Sequence, residues 1–176
     1  MLFDFFYLVS ELKKVPRKGW KEKVGIDKPE SVADHSFGMA IMAMIFSDIK
    51  ELDTEKIVKM ALLHDLAESI TGDFIPNEIS KENKKIVEND SMEDILSKLP
   101  SNIVTQYREI WREFQEGKTG ESILLHDIDR LEMAVQATKY FSEGHPKEKL
   151  QEFIESARKE IKSKELLEVL DTISYK

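Results

Sequence analysis

Cysteine is absent from this chain of 176 residues. That excludes a disulfide framework, a thiolate metal site and a cysteine nucleophile, so any metal must be held by histidine nitrogen and carboxylate oxygen. Glycine (7) and proline (5) are scarce, and no internal repeat, low-complexity tract or domain linker is found. Long apolar runs are also missing: the longest, residues 39–46, is too short to span a bilayer. Residues 1–7 are apolar but lack the basic segment and small-residue cleavage site of a signal peptide. The expectation is a cytoplasmic protein without a membrane partner. Excess positive charge is lacking as well, since the net charge is −8. Duplex nucleic acid is therefore not expected as the main partner, because phosphate backbones call for a basic surface. A small anionic substrate fits if cations are concentrated locally, as a bound divalent ion would do.

What is present is ordinary for a globular chain, with 41% hydrophobic and 34% charged residues. The length suits one domain, residues 1–176, able to bury a core without covalent staples. Abundant Lys and Glu with little Gly is the composition expected of a thermophilic source. Apolar periodicity is helical throughout, and no segment alternates with period two between hairpin signals. A first helix is expected over residues 2–14, ended by Pro16 and Gly19. Ser31 with Asp34 three residues later has the form of a capping box, opening a largely buried helix to Ile49. Asp53 or Thr54 is expected to cap the next helix, which stops at Gly72. Further helices are expected over residues 80–99, from a cap at Ser101 to 114, and over 121–142, 147–161 and 164–173. Short connections between them predict an all-α, compact multi-helix bundle.

Four histidines exist, so each can be weighed. His64 and Asp65 lie inside the apolar stretch Leu62-Leu63-His64-Asp65-Leu66-Ala67. Burying an imidazole beside a carboxylate is costly unless something satisfies both. A divalent cation would do so; a His–Asp pair bonded to another helix is the alternative. Glu68, four residues on, is expected one turn further along the same helix face. Asp73, beyond the break at Gly72, can be aimed independently. His35 stands in the first turn of its helix, where a lone histidine is commonly a core or cap residue. Asp129, flanked one turn away by Leu125 and Met133, needs a partner that its neighbour Arg130 is poorly placed to supply. His126-Asp127 is a second His–Asp dipeptide and a rival source of ligands, while His145-Pro146 reads as a helix start.

The ordered set Val32-Ala33-Asp34-His35-Ser36, then His64-Asp65-Leu66-Ala67-Glu68 with Thr71-Gly72-Asp73, then Asp129, resembles the HD-domain superfamily pattern. The continuation through Glu68 to Gly72-Asp73 is similar to that of the YfbR-like 5'-deoxynucleotidases and small HD-domain-containing proteins. Val15-Pro16-Arg17-Lys18-Gly19-Trp20 resembles the Arg/Trp element of the same group. Asp34 departs from the Glu more usual before the first His.

The resemblance implies an HD-domain bundle with a metal-site core at about residues 30–140 and C-terminal helices at 146–173. It implies one divalent ion (manganese, cobalt, zinc, iron or nickel) held by His35, His64, Asp65 and Asp129. Glu68 would handle the attacking water, and Asp73 would orient that water and the phosphate end of the substrate. Arg17 would neutralise the phosphate, and Trp20 would pack against sugar or base. The implied activity is hydrolysis of (deoxy)nucleoside 5'-monophosphates by a homodimer. An HD-type phosphodiesterase, another nucleotide phosphohydrolase or a non-catalytic nucleotide-binding regulator are the alternatives. A dinuclear site would need histidines beyond His126 and His145, so one metal is expected.

Overall fold

The structure, a computed structural model, describes residues 1–76 and 78–173. Among these, regular structure is helical, and extended backbone is limited to isolated bridges such as Pro16 with Ser31. The first helix, α1 (Leu2–Glu11), tightens into a 3-10 turn at Leu12–Lys14 rather than running on as one α-helix. Pro16 lacks a backbone N–H and cannot continue the helix. The chain instead pairs briefly with the segment before the next helix, through Arg17 N–H to Glu30 O (3.0 Å) and Val32 N–H to Val15 O (2.9 Å). Between these strands of backbone sits a π turn, Trp20–Val24, closed by Gly25 in the left-handed region (φ 87°). Helical periodicity gave no hint of this turn.

The central helix α2 (Val32–Ile49) starts as expected. Ser31 Oγ accepts the Asp34 N–H, and the Asp34 carboxylate accepts the Ser31 N–H in return. By length and composition alone α2 could cross a bilayer, yet it packs against α3 (Thr54–Leu63) and α7 (Gly120–Ser142). Asp53 caps α3 by accepting the Lys56 N–H.

The continuous helix expected as far as Gly72 does not form. α3 ends at Leu63, and α4 (Glu68–Thr71) begins after a tight turn. In that turn Leu66, Glu68 and Ser69 donate to carbonyls three residues back, those of Leu63, Asp65 and Leu66. Three residues per turn sets side chains i and i+3 in line. Glu68 is thereby aligned with Asp65, not with His64 as a continuous α-helix would have it.

The helices α5 (Lys81–Leu96), α6 (Ser101–Glu116), α8 (Lys147–Glu160) and α9 (Lys164–Thr172) complete the bundle. Pro100, not Ser101, occupies the cap position of α6. Its lack of an N–H costs nothing at a helix start, where the first amides are unpaired anyway. Thr119 caps α7 through the Ser122 N–H, so the helix starts at Gly120, one residue before the expected start. The core is a continuous apolar cluster in which Met39, Ile57, Met60, Leu125, Ile128 and Leu131 are essentially inaccessible. Set into it are buried polar groups, and these locate the site.

Candidate active site

His35 is fully buried on α2, and His64 is buried just past the end of α3. Both rings are oriented from behind. The Nδ1 of His35 lies 2.5 Å from Glu132 Oε2, and the Nδ1 of His64 lies 2.7 Å from the carbonyl of Ala61. A proton on each Nδ1 suits these acceptors and leaves each Nε2 as a lone pair facing the other way. Neither Nε2 has a hydrogen-bond partner. They are nevertheless crowded by oxygen: Asp65 Oδ2 lies 3.0 Å from His64 Nε2 and 3.9 Å from His35 Nε2, and Asp129 Oδ1 lies 3.2 Å from His35 Nε2. His35, His64 and Asp65 keep their donor atoms mutually within 4.8 Å, with Asp129 at the edge of the group beside His35.

Two buried imidazoles without partners, next to two carboxylates, form an expensive arrangement unless a cation unites them. The spacing fits such an ion. Ligands about 2.1 Å from a metal and at right angles to each other stand about 3.0 Å apart. The donor set, two nitrogens and two carboxylates, suits a borderline divalent metal.

The electrostatics show how strongly the site attracts positive charge. Burial and Arg17 oppose charge on the His35 ring, but Asp129 and Glu132 outweigh them and raise it to about 9, so a bound cation would take the place of a proton there. Burial works against the Asp65 carboxylate, yet His64, Arg17 and His35 hold it well below the usual range. Asp129 is held low in the same way by His35, Arg130 and Arg17 against the cost of burial. Asp65 and Asp129 are thus carboxylates at neutral pH, as ligands must be. Glu68 is the contrast. Burial, reinforced by Asp65 and Asp73, pushes its carboxyl up to about 10, and its Oε2 has no partner.

The cluster opens into a cavity of about 520 Å³ lined by Asp65, Glu68, Asp73, Asp129, Arg17 and the wall of α8. Arg17 is placed there by its backbone bond to Glu30 and reaches Asp65 Oδ2 at 3.5 Å. Asp73 follows Gly72, whose φ of 72° turns the chain, and its Oδ2 accepts the Lys18 N–H at 2.7 Å. That bond ties the loop after α4 to the loop carrying Arg17.

Trp20 does not present a free face. It is 2% exposed, donates Nε1–H to Glu30 Oε1 at 2.8 Å, and packs its ring on Phe153 and Tyr140. A ring held on these sides is part of the cavity wall rather than an open platform for a sugar or base.

The rival dipeptide is spent elsewhere. His126 stacks on Phe114 and bonds its backbone carbonyl, while Asp127 accepts the Lys162 and Ser163 N–H groups between α8 and α9. His145 packs edge-on against Tyr140.

Sequence reasoning missed Glu132. It lies ninety-seven positions from its partner His35, and nothing local marks it. One faint signal was Gly38: a Cβ there would stand 3.0 Å from Glu132 Oε1. The missing side chain is the space in which the Glu132 carboxylate lies.

Comparison with known proteins agrees with this geometry. The HD domain family matches residues 9–169. The chain is 40% identical over 166 residues to the 5'-deoxynucleotidase HDDC2 of Dictyostelium discoideum, covering 88% of this chain and 87% of that protein. It is 35% identical over 173 residues to human 5'-deoxynucleotidase HDDC2, covering 98% and 84% respectively. Among solved structures it is similar to a conserved hypothetical protein from Pyrococcus furiosus, with TM-score 0.76, 30% identity and 96% of both chains covered. The chain belongs to the HD domain family.

Proposed function

We propose that this protein is a metal-dependent phosphohydrolase that cleaves nucleoside 5'-monophosphates, deoxynucleotides foremost, to nucleoside and inorganic phosphate. The observation that carries this reading is the pair of buried, oriented and unpartnered histidine Nε2 atoms beside Asp65 and Asp129, two carboxylates that line a cavity which also holds an arginine. His35, His64, Asp65 and Asp129 would hold one divalent ion, drawn from manganese, cobalt, zinc, iron and nickel. When bound, such an ion activates water near neutral pH and polarises a phosphoryl oxygen.

The remaining residues take complementary parts. Arg17 offers a fork of N–H donors to the phosphate of the substrate. The raised carboxyl of Glu68 would be drawn back down by a cation bound beside it, and its unclaimed Oε2 could then take a proton from the attacking water and return one to the departing 5'-oxygen. The water oxygen–phosphorus bond forms as the bond from phosphorus to the 5'-oxygen breaks. Asp73 is anchored to the Lys18 amide, so its carboxylate is held at the cavity rim to orient water and phosphate. Trp20 shapes the wall on the sugar side. The names of the relatives support the choice of deoxynucleotides.

The protein is read as cytoplasmic, without membrane or duplex nucleic acid as partner. It is read as a homodimer that covers apolar surface on α1 and α2, where Phe3, Phe6, Phe37, Ile41 and Ile45 are exposed. A panel of deoxy- and ribonucleoside monophosphates, with p-nitrophenyl phosphate and a phosphodiester, run with each of the five metals, tests the reading. Turnover confined to the diester would replace it with a phosphodiesterase, and nucleotide binding without turnover would replace it with a regulator. Glu68→Gln is expected to keep the metal and lose about 100-fold or more in kcat. Wild-type turnover by that variant would remove Glu68 from the mechanism.

A further inference from the structure

Besides Arg17, the cavity is lined by Lys23, Lys84 and Arg130. Two of these belong to the α8 wall, since Lys23 lies over the Phe153 ring at 5.3 Å and Arg130 pairs with Glu160 at 2.9 Å. Lys84 differs. It stands in the first turns of α5, which packs on α4, the helix that carries Glu68, and so lines the cavity away from the α8 wall. We propose that Lys84 is a second phosphate-binding cation, held in reserve by Glu88 and transferred to the substrate phosphate opposite Arg17.

Three observations carry this. First, the hold is loose: Lys84 Nζ lies 3.3 Å from Glu88 Oε1, longer than the 2.7–2.9 Å usual for charge-assisted bonds. Pairs with lysine four residues before the glutamate are loosely held elsewhere too, Lys139–Glu143 at 3.5 Å and Lys164–Glu168 at 3.7 Å, but of these lysines Lys84 is the one that lines the cavity. Second, Glu88 is a reluctant partner. Burial pushes its carboxyl upward, with Lys84 pulling the other way. Third, the charge balance of the site calls for another cation. A phosphate monoester brings about two negative charges to a centre already holding Asp65, Asp73 and Asp129. A divalent ion and Arg17 together only equal those three. Lysine suits the role, since an ammonium on a flexible stem acts as a point charge that can swing from carboxylate to phosphate. Burial acts against its charge, but Glu88, Glu68 and Asp65 keep it protonated.

This inference rests on the phosphohydrolase reading, and the experiment separates the two. Metal-loaded wild type, Lys84→Met, Lys84→Arg and Glu88→Gln are compared for metal content, for calorimetric binding of inorganic phosphate, and for kcat and KM on a deoxynucleoside monophosphate. Inhibition by the matching deoxynucleoside, which has no phosphate, is measured alongside. Lys84→Met is expected to keep its metal and its nucleoside inhibition while weakening phosphate binding and raising KM by about 10- to 100-fold. Lys84→Arg is expected to restore most of the loss. Glu88→Gln, which frees the lysine, is expected to bind phosphate at least as tightly as wild type. Equal phosphate affinity in Lys84→Met and wild type would overturn the proposal, as would equal losses for phosphate and nucleoside, which mark a structural role. If wild type hydrolyses no monophosphate, the functional reading fails, and phosphate calorimetry still decides the part played by Lys84.

Discussion

The chain contains the same dipeptide twice, and the fold uses it in opposite ways. At His64-Asp65 the imidazole is buried with Nε2 unclaimed, and the aspartate stands 3.0 Å away with a second histidine at 3.9 Å. At His126-Asp127 the histidine is exposed, stacked on Phe114 and bonded to its carbonyl, and the aspartate closes the joint between α8 and α9. Among the described residues, no buried side-chain polar atom of the second pair lacks a partner; at the first, His64 Nε2 does. In the sequence only the acidic residues Glu68 and Asp73 downstream of the first pair set the two apart. What separates reactive chemistry from architecture is the unmet hydrogen-bonding capacity of a buried group.

That contrast can be broken most forcefully at His64. His64→Ala is expected to abolish stoichiometric metal binding and bring hydrolysis to background. A ligand present at about 100 times its Kd stabilises the folded state by about 2.7 kcal/mol, or about 5–10 °C in Tm for a chain of this size. Wild type is expected to show that rise when metal is added to chelator-treated protein, and His64→Ala none. Elemental analysis with paired melting curves decides it, and a retained metal-dependent rise would show that the ligand set is elsewhere.

Asp127→Ala should give the complementary result. The Lys162 and Ser163 amides lose their acceptor (3.0 and 2.7 Å) at a partly buried joint. A cost of about 1.5–3 kcal/mol is expected in urea unfolding, with metal stoichiometry and kcat unchanged. Metal loss without destabilisation would reverse the assignment of the two dipeptides. His126→Ala should do less, below about 1 kcal/mol, because its ring is exposed and its bond to the Phe114 carbonyl can be replaced by water.

Much of this was legible in the sequence where the cause is local. The capping box of Ser31 and Asp34, the Asp53 cap and the stop at Gly72 are written in adjacent residues and form as expected. His64 and Asp65 are marked by their apolar setting and the acidic residues after them, His35 and Asp129 by the order of the family pattern, and the structure brings the four side by side. The failures have one physical character. The turn from Leu63 to Glu68 breaks an apolar helix pattern for the sake of the site, so periodicity could not announce it. Glu132 meets its partner only through the packing of α2 against α7, and Lys84 reaches the cavity only because α5 packs beside α4. Trp20 does line the cavity, but its hold by Phe153, Tyr140 and Glu30 is made by tertiary packing that no local pattern announces.

The mildest test extends the contrast to a charge that has nothing to do with the site. Glu165, at the start of α9, pairs with Lys50 at the end of α2 at 2.7 Å and also accepts the Ser163 hydroxyl. The Lys50 ammonium foremost, with backbone and hydroxyl donors, lowers its carboxyl to about 2. A carboxyl lowered on folding contributes stability that is complete above its unfolded value near 4.5 and is lost as pH falls through about 2. Glu165→Gln is therefore expected to lower Tm at pH 7 by no more than about 2 °C, since exposed pairs are weak and screened by salt. The difference should shrink in high salt and vanish towards pH 2, with metal binding untouched throughout. A difference independent of both pH and salt would mean that the side chain acts through packing or its bond to Ser163. The second dipeptide would then share its joint with a neighbour that is structural in the same uncharged sense, because Asp127 already holds the Ser163 amide.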